Sequence, residues 1–566
     1  MPPIIKPLIF ICYFVLTHLV SDAQNTYPED YFRSPIDGRI YLSGTFGELR
    51  SNHFHTGIDI KTGGVEGKNI YAAVDGWVSR IKISPWGYGN AIYIKHPNGY
   101  TTVYGHLQKY NDEITEYTQI QQYKEQKFAI DIFPEPHQIQ IKKGDIIALS
   151  GNSGSSGGPH IHFEIRDSQT QEPLNPFLFG IQVKDYITPV IKSLRIYPAE
   201  EGALIQGKNK AENFILKGWG ENYTFKNGDS IVIHGDFYTG ISTIDKQNDS
   251  HNQNGVYSIE IYLDTILFYH HKVERLNFST NRYINTLIDY NYYKNKKRRY
   301  QRSYISPNNK LKFYEHIENN GIFSFNDNKY HLIKYVVKDY AGNTSVLQFT
   351  ILSKPLESLQ SNNPSNIFSP LIKNTFKDHD LEIDFPAQCF YDTTTFTSVQ
   401  QSSNAAALSP IYHIGHKEVA LQKAIEVKIK DINIPDTIKE KAFLGRVSGK
   451  TISFNTSKWV DQQLVFKTRT FGEYGIFVDS IPPVIKLKTQ KNRIKSSNII
   501  YFYVNDKETG ISKYNAWLNG SWIILEWDPK KNRMFIRNNL SFHDNNHLLI
   551  EVFDNTNNKA ILKIDF

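Results

Sequence analysis

Residues 151–166 read GNSGSSGGPHIHFEIR, and no other stretch limits the fold of this chain as tightly. Small residues run up to Pro159, after which His160, Ile161, His162, Phe163, Glu164 and Ile165 alternate polar with apolar. Alternation with period two marks a half-buried β-strand. Side chains two apart on a strand share a face, so His160 and His162 stand side by side, with Ile161 and Phe163 packing behind. Two neutral imidazoles on one rigid strand suit a zinc site, where one ligates while the other handles a proton.

Partners for the pair lie upstream. His55-Thr56-Gly57-Ile58-Asp59 offers an imidazole and a carboxylate, both ordinary zinc ligands. A catalytic zinc needs three protein ligands and one open position, a count that His55, Asp59 and one histidine of the 160/162 pair complete. Between them, Val103-Tyr104-Gly105-His106-Leu107 ends an apolar, strand-like run on another histidine. All three histidine-bearing segments fall in the first third of the 566 residues.

In this order the segments resemble the lysostaphin/LytM-type zinc endopeptidases, which cut peptide bonds in bacterial peptidoglycan. The family's His-x-x-x-Asp, Tyr-x-His-Leu-like and His-x-His segments correspond to His55/Asp59, Tyr104/His106/Leu107 and His160/His162. The connecting text matches as well: IYAAVDGWV at 70–78, GYGN at 87–90, KKGD at 142–145 and PLNP at 173–176, so the likeness covers residues 38–180. It implies a lysostaphin-like antiparallel β catalytic domain of the duplicated hybrid motif type. It implies one Zn2+ held by His55, Asp59 and His162. His106 and His160 are then the catalytic residues that orient water, take its proton and help stabilise the oxyanion. The implied substrate is the peptide part of peptidoglycan. All five positions are occupied, which favours an active enzyme. The alternative is a non-catalytic envelope regulator or binding protein that activates another cell-wall hydrolase.

Several nearby residues carry lesser expectations. Arg50 matches a basic position common in the family, or is a plain surface arginine. His53 forms a second His-x-His with His55, but four residues after it stands Gly57 rather than a carboxylate, so it is set aside. His96, in KHPNG at 95–99, reads as a solvent-facing residue of a hairpin turn. The glycine- and serine-rich run 151–158 lets backbone approach an extended peptide closely. An insertion at 109–140, polar with a Pro-Glu-Pro step, reads as a helix or flap beside the site.

A chain of this length holds several domains. The 35 Tyr and 34 Phe favour β structure, and the fold class is mainly β. Residues 1–23 read as a signal peptide: Lys6, a short apolar core, then Ser21-Asp22-Ala23 as the cleavage site. Its apolar run is too short for a comfortable membrane span, and no transmembrane segment remains after cleavage. Export to the periplasm or cell envelope, or secretion, follows. Only Cys389 is then left, so no internal disulfide forms. The net charge of +7 is drawn to an anionic wall or membrane, but it is spread too thinly for a nucleic-acid reader.

Downstream of a metallopeptidase domain at 24–184, an internal repeat is legible. DYITPVI at 185–191 parallels DSIPPVI at 479–485, TGIS recurs at 239–242 and 509–512, and VVKDYAGN at 336–343 parallels EVFDNTNN at 551–558. Alternating strands punctuated by Asp, Asn and Gly fit immunoglobulin-like β-sandwiches at 185–353 and 479–566. The first carries an insertion at 245–325. A Ser/Asn/Pro-rich linker at 354–370 and a β-rich domain at 371–478 lie between them. The sandwiches would position the enzyme at the wall or on an envelope protein partner. His413-x-x-His416 has no third ligand nearby and reads as surface text, and the basic run 294–302 reads as a solvated hairpin.

Overall fold

The computed structural model describes residues 27–226, 230–356, 366–400, 404, 406–430 and 434–566. The expected leader at 1–23 and the centre of the expected linker lie outside the described residues.

The N-terminal third opens with β1 (Leu42–Gly44), β2 (Ile58–Lys61), β3 (Asn69–Tyr71), β4 (Gly76–Ile83), β5 (Asn90–Lys95), β6 (Tyr100–Leu107) and β7 (Lys109–Tyr110). After α1 (Asp112–Glu125) come β8 (Ile130–Ile132), β9 (Gln140–Ile141), β10 (Ile146–Leu149), β11 (His160–Asp167) and β12 (Pro173–Leu174). The main sheet has the order β1-β2-β11-β6-β5-β4-β8, all antiparallel, with β3-β10-β7 as a small second sheet. The strand that begins at His160 is therefore central, between β2 and β6. Its inward residues Ile161, Phe163 and Ile165 pack with Ile58, Ile60 and Tyr104 in one core cluster. Each such burial contributes roughly 1.5–3 kcal/mol.

The opposite face of β11 differs from the half-buried expectation. His162, Glu164 and Arg166 are all buried, Glu164 completely. A central strand has no free edge, and aromatic side chains cover this face. The Tyr88 ring stacks on His162, and the Arg166 guanidinium lies over the rings of Tyr93 and Phe278. Polar groups placed there must be paired internally.

The insertion after His106 is partly helical. Asn111 caps α1 by accepting from Ile114 N–H, and Ile114, Thr118 and Gln122 face inward. The segment then adds β8 to the sheet edge beside β4. His96 is not solvent-facing: it is 1% exposed, its Nδ1–H donates to the Asp75 carbonyl and the Thr102 hydroxyl lies 2.8 Å from Nε2. The Asn98-Gly99 turn folds its preceding histidine under the sheet, and burial lowers the imidazole to about 4.

The repeat seen in sequence is also a repeat of strand pairing. Ser258–Leu263 lies between Ile266–Lys272 and Tyr330–Lys338, and the latter pairs with Thr344–Lys354. In the C-terminal unit Ile511–Leu518 lies in the same way between Ser521–Ile523 and His547–Asp554, and the latter pairs with Lys559–Asp565. The expected insertion at 245–325 therefore overreached, because it included two of these sheet strands. The TGIS text misleads: it lies inside the strand Phe237–Ile244 in the first copy but leads into Ile511–Leu518 in the second. The basic run is no hairpin; Tyr290–Lys296 is a helix capped by the Asp289 carboxylate, followed by the short strand Gln301–Arg302.

Between the repeats stand two five-stranded sheets around a core that includes the free, buried Cys389. His413 and His416 lie there with ring centroids 6.3 Å apart. They belong to no metal-holding group among the described residues.

Candidate metal centre

Strand register brings the first two candidate ligands together. On β11, His162 sits opposite Asp59 of β2 on one side and Gly105 of β6 on the other. The His162 Nδ1 atom lies 2.8 Å from Asp59 Oδ1. His55 arrives on a hairpin closed by Gly47 N–H donating to the His55 carbonyl and His55 N–H donating to the Glu48 carbonyl. Its Nε2 lies 3.0 Å from Asp59 Oδ1 and 3.1 Å from His162 Nδ1. Gly57 permits the close approach: a Cβ there would stand 2.4 Å from the Phe163 carbonyl oxygen.

The donor set fits a zinc ion. One ligand atom from each of His55, Asp59 and His162 lies within 4.8 Å of the others, and all three residues are buried. Each imidazole is oriented by its other nitrogen. His55 Nδ1–H donates to the Thr45 carbonyl at 2.8 Å, and His162 Nε2–H donates to Glu164 Oε1 at 2.8 Å. That leaves His55 Nε2 and His162 Nδ1 turned to a common point, the outer-shell arrangement that fixes metal-binding tautomers. Two nitrogens and a carboxylate oxygen match a catalytic rather than a structural zinc site.

Charge in the pocket is balanced by pairs. Burial pushes the Asp59 carboxyl up, but the His55, His160 and His162 imidazoles outweigh it and hold it well below its usual range. Arg50 is no bystander, since its guanidinium lies 3.2 Å from Asp59 Oδ2 and also pairs with Glu48. Glu164 behaves likewise: burial is outweighed by Arg166 and His162, and its carboxyl stays below the ordinary carboxylate range. Thr56 Oγ1 and the Tyr88 hydroxyl both donate to Glu164 Oε1 at 2.6 Å.

The two other histidines border the same space. Tyr104 and Leu107 both belong to the core cluster, so the inward–outward alternation of β6 slips between them. His106 sits at that slip with φ +61°, left-handed for a non-glycine residue. Such a conformation costs of order 1–3 kcal/mol and persists only where surroundings enforce it. The His106 ring centroid lies 4.7 Å from that of His160 and 5.9 Å from that of His162. Its Nδ1–H donates to the Ser153 carbonyl at 2.9 Å, while His160 Nδ1–H donates to the Gly158 carbonyl at 2.8 Å. His160 Nε2 points to Asp59 Oδ1 at 3.4 Å. Burial, then the neighbouring His162 and His160, lowers the His106 imidazole to about 3.

The glycine-rich loop divides in two. Gly154, at φ +67°, is needed by the chain itself, because a Cβ there would meet Gly89 N at 2.3 Å. Gly157 and Gly158 have nothing within 4 Å of a Cβ and leave open space beside His160. His53 stays outside the cluster, its Nδ1–H donating to the Ser51 carbonyl.

Sequence reasoning missed Glu164 and Arg166, although they continue the His160/His162 face at the same two-residue spacing. It also missed Thr45, Thr56, Tyr88 and Ser153, whose contributions come from carbonyls or hydroxyls brought in by distant segments, and no local pattern marks them.

The model of Peptidase family M23 matches residues 53–125, and that of the Zu5-like domain matches residues 365–479. The DD-carboxypeptidase/endopeptidase Mpg of Neisseria meningitidis is 26% identical over 169 residues, 30% of each chain. The murein hydrolase activator NlpD of Escherichia coli is 33% identical over 139 residues, 25% of this chain and 29% of its own. The peptidoglycan DD-endopeptidase ShyA of Vibrio cholerae is 30% identical over 139 residues, 24% of this chain and 26% of its own. The chain thus spans less than a third of the length of these curated relatives. Within that shared region, its N-terminal third is a Peptidase family M23 domain of the lysostaphin/LytM type.

Proposed function

We propose that this protein is an exported, zinc-dependent metalloendopeptidase that hydrolyses the peptide cross-links of bacterial peptidoglycan. The observation that carries the reading is the convergence of His55 Nε2, His162 Nδ1 and Asp59 Oδ1 beside two further imidazoles, His106 and His160. A zinc ion held by the first three would supply the Lewis acidity for carbonyl polarisation and for activating water near neutral pH. His106 and His160 spend their Nδ1–H groups on backbone carbonyls, which leaves their Nε2 atoms for the proton work, that of His160 already 3.4 Å from Asp59 Oδ1. A neutral imidazole so placed accepts a proton from the attacking water and returns it to the leaving amine. It also donates to the developing oxyanion once protonated. Burial supports the neutral resting state of His106. The open space at Gly157 and Gly158 gives an extended peptide a place to lie.

The expected leader at 1–23 supports export to the periplasm or cell envelope, and the names of the relatives supply the substrate class. The two repeated sandwiches, read as immunoglobulin-like, offer surface for an envelope protein partner. A second reading, activation of another wall hydrolase, is favoured by the 33% identity to a protein named as such an activator.

Metal analysis and mass spectrometry of muropeptides after incubation with the purified protein separate the two. New peptide ends with one zinc per chain support the enzyme, whereas zinc without cleavage supports the activator. His162→Ala should lose the metal. His106→Ala should retain it and lose about 10²–10⁴-fold in rate. Loss of zinc from His106→Ala would overturn the division of roles.

A further inference from the structure

Between the first sandwich and the metallopeptidase domain lies a cavity of about 580 Å³, lined in part by Asp185, Asp245, Asn254 and Asp339. Asp245 and Asn254 face one another across an isolated antiparallel bridge, each N–H donating to the other's carbonyl at 2.9 Å. Directly opposed residues of such a pair carry their side chains on the same side. Both side chains are 4% exposed. Asp245 Oδ1 and both polar atoms of the Asn254 amide nevertheless lack any hydrogen-bond partner. One carboxylate oxygen from each of Asp185, Asp245 and Asp339 lies within 4.8 Å of the others.

We propose that Asp185, Asp245 and Asp339, with the Asn254 amide oxygen, form a second metal site that takes a hard divalent cation of the calcium class. The donors are oxygen only, with no imidazole or thiolate to attract a softer metal. Calcium accepts six to eight oxygens in irregular geometry, so backbone carbonyls and water can complete the shell.

A similar cluster in the C-terminal sandwich shows what a satisfied group looks like. Asp479 accepts from Ile481 N–H and from Thr509 Oγ1, and Asp506 accepts from the Thr509 and Gly510 N–H groups. Their chain-mates already supply the partners that Asp245 Oδ1 and the Asn254 amide lack.

The site also has a purpose that rests on the metallopeptidase reading. The loop between Asp245 and Asn254 braces the neighbouring domain. Gln247 Oε1 accepts from Leu42 N–H and its Nε2 donates to the Ile40 carbonyl, while Gly255 N–H donates to Thr45 Oγ1. Thr45 in turn orients His55. A cation clamping both ends of this loop would stiffen the support of the zinc ligand.

The test uses the zinc-loaded full chain and needs no wall substrate. Terbium luminescence, sensitised by Tyr257 and Tyr340 in the cavity wall, should show one site from which calcium displaces the ion, and calorimetry should give one calcium per chain. Asp245→Asn should weaken calcium binding by about 100-fold, and Asp185→Asn, on the half-buried connector, by about tenfold, since charge count sets such affinities. Asp479→Asn should leave it unchanged. Absence of calcium-displaceable signal at millimolar calcium overturns the proposal, as does binding that survives in both the Asp245 and the Asp185 variants. Should Asp245→Asn not fold, the Asp185 variant decides alone.

Discussion

Glu164 shows how much of this site depends on residues that touch no metal. It is fully buried between His162, Arg166, Thr56 and Tyr88, and it fixes the tautomer that turns His162 Nδ1 inward. Glu164→Gln keeps the shape but loses the charge that Arg166 and His162 oppose. Zinc affinity should fall about 10–100-fold, read by competition with a chromophoric chelator, while His162→Ala should abolish binding. His96 makes a different residue-scale prediction. Its folded value of about 4 lies below the unfolded value of 6.5. The unfolded chain therefore takes up the proton first, and stability is lost as pH falls from 6.5 to 4. The loss amounts to about 3 kcal/mol at most, and His96→Gln should flatten it in urea unfolding of the N-terminal domain measured between pH 7 and 4.5.

Among the elements, the hairpin that carries His55 depends most on its surroundings. Phe54 leaves it to pack with Val273, Leu276, Ile284 and Phe313 of the first repeat, and Asn281 Oδ1 accepts from Phe54 N–H. Two strands bearing Asp59 and His162 are held by their ladder, but His55 is held by a neighbour's core. Phe54→Ala should cost about 3–5 kcal/mol at that contact. Zinc should dissociate faster as His55 frees itself, while the β2–β11 ladder keeps its amide protection in hydrogen exchange. Equal loss of protection in the ladder would mean the hairpin and sheet fold as one unit. The helix α1, which lies in the insertion expected to be a helix or flap, meets the C-terminal unit through the edge contact of Tyr123 with Trp522.

The chain folds back on itself at the scale of the whole molecule. Besides the Tyr123 contact, Trp86 packs edge-on against Trp527, and Lys530 Nζ donates to the carbonyls of Asn152 and Ser156. Those carbonyls belong to the loop whose Ser153 orients His106 and whose Gly158 orients His160. A domain more than 350 residues downstream thus holds the backbone that aims both candidate catalytic imidazoles. Lys530→Ala should speed amide exchange across 152–156 by about tenfold, as expected for the loss of hydrogen bonds to a charged donor, with zinc content unchanged. Unaltered exchange would show that the loop is rigid without its brace. No helix among the described residues is long and apolar enough to cross a membrane.

The order and spacing of His55, Asp59, His106, His160 and His162 were legible because a β-ladder converts spacing into direction: residues two apart share a face, and paired strands place Asp59 opposite His162. The β-rich character and the repeat were legible for the same reason, since strand periodicity is local. The burial of Glu164 and His96, the left-handed turn at His106 and the true extent of the insertion in the first sandwich were not. Each depends on which segment covers which face, and that is decided by contacts between residues far apart in the chain. Sequence alone brought out the candidate ligands; tertiary packing determined how they are aimed, because orientation comes from carbonyls, hydroxyls and neighbouring cores that leave no periodic trace.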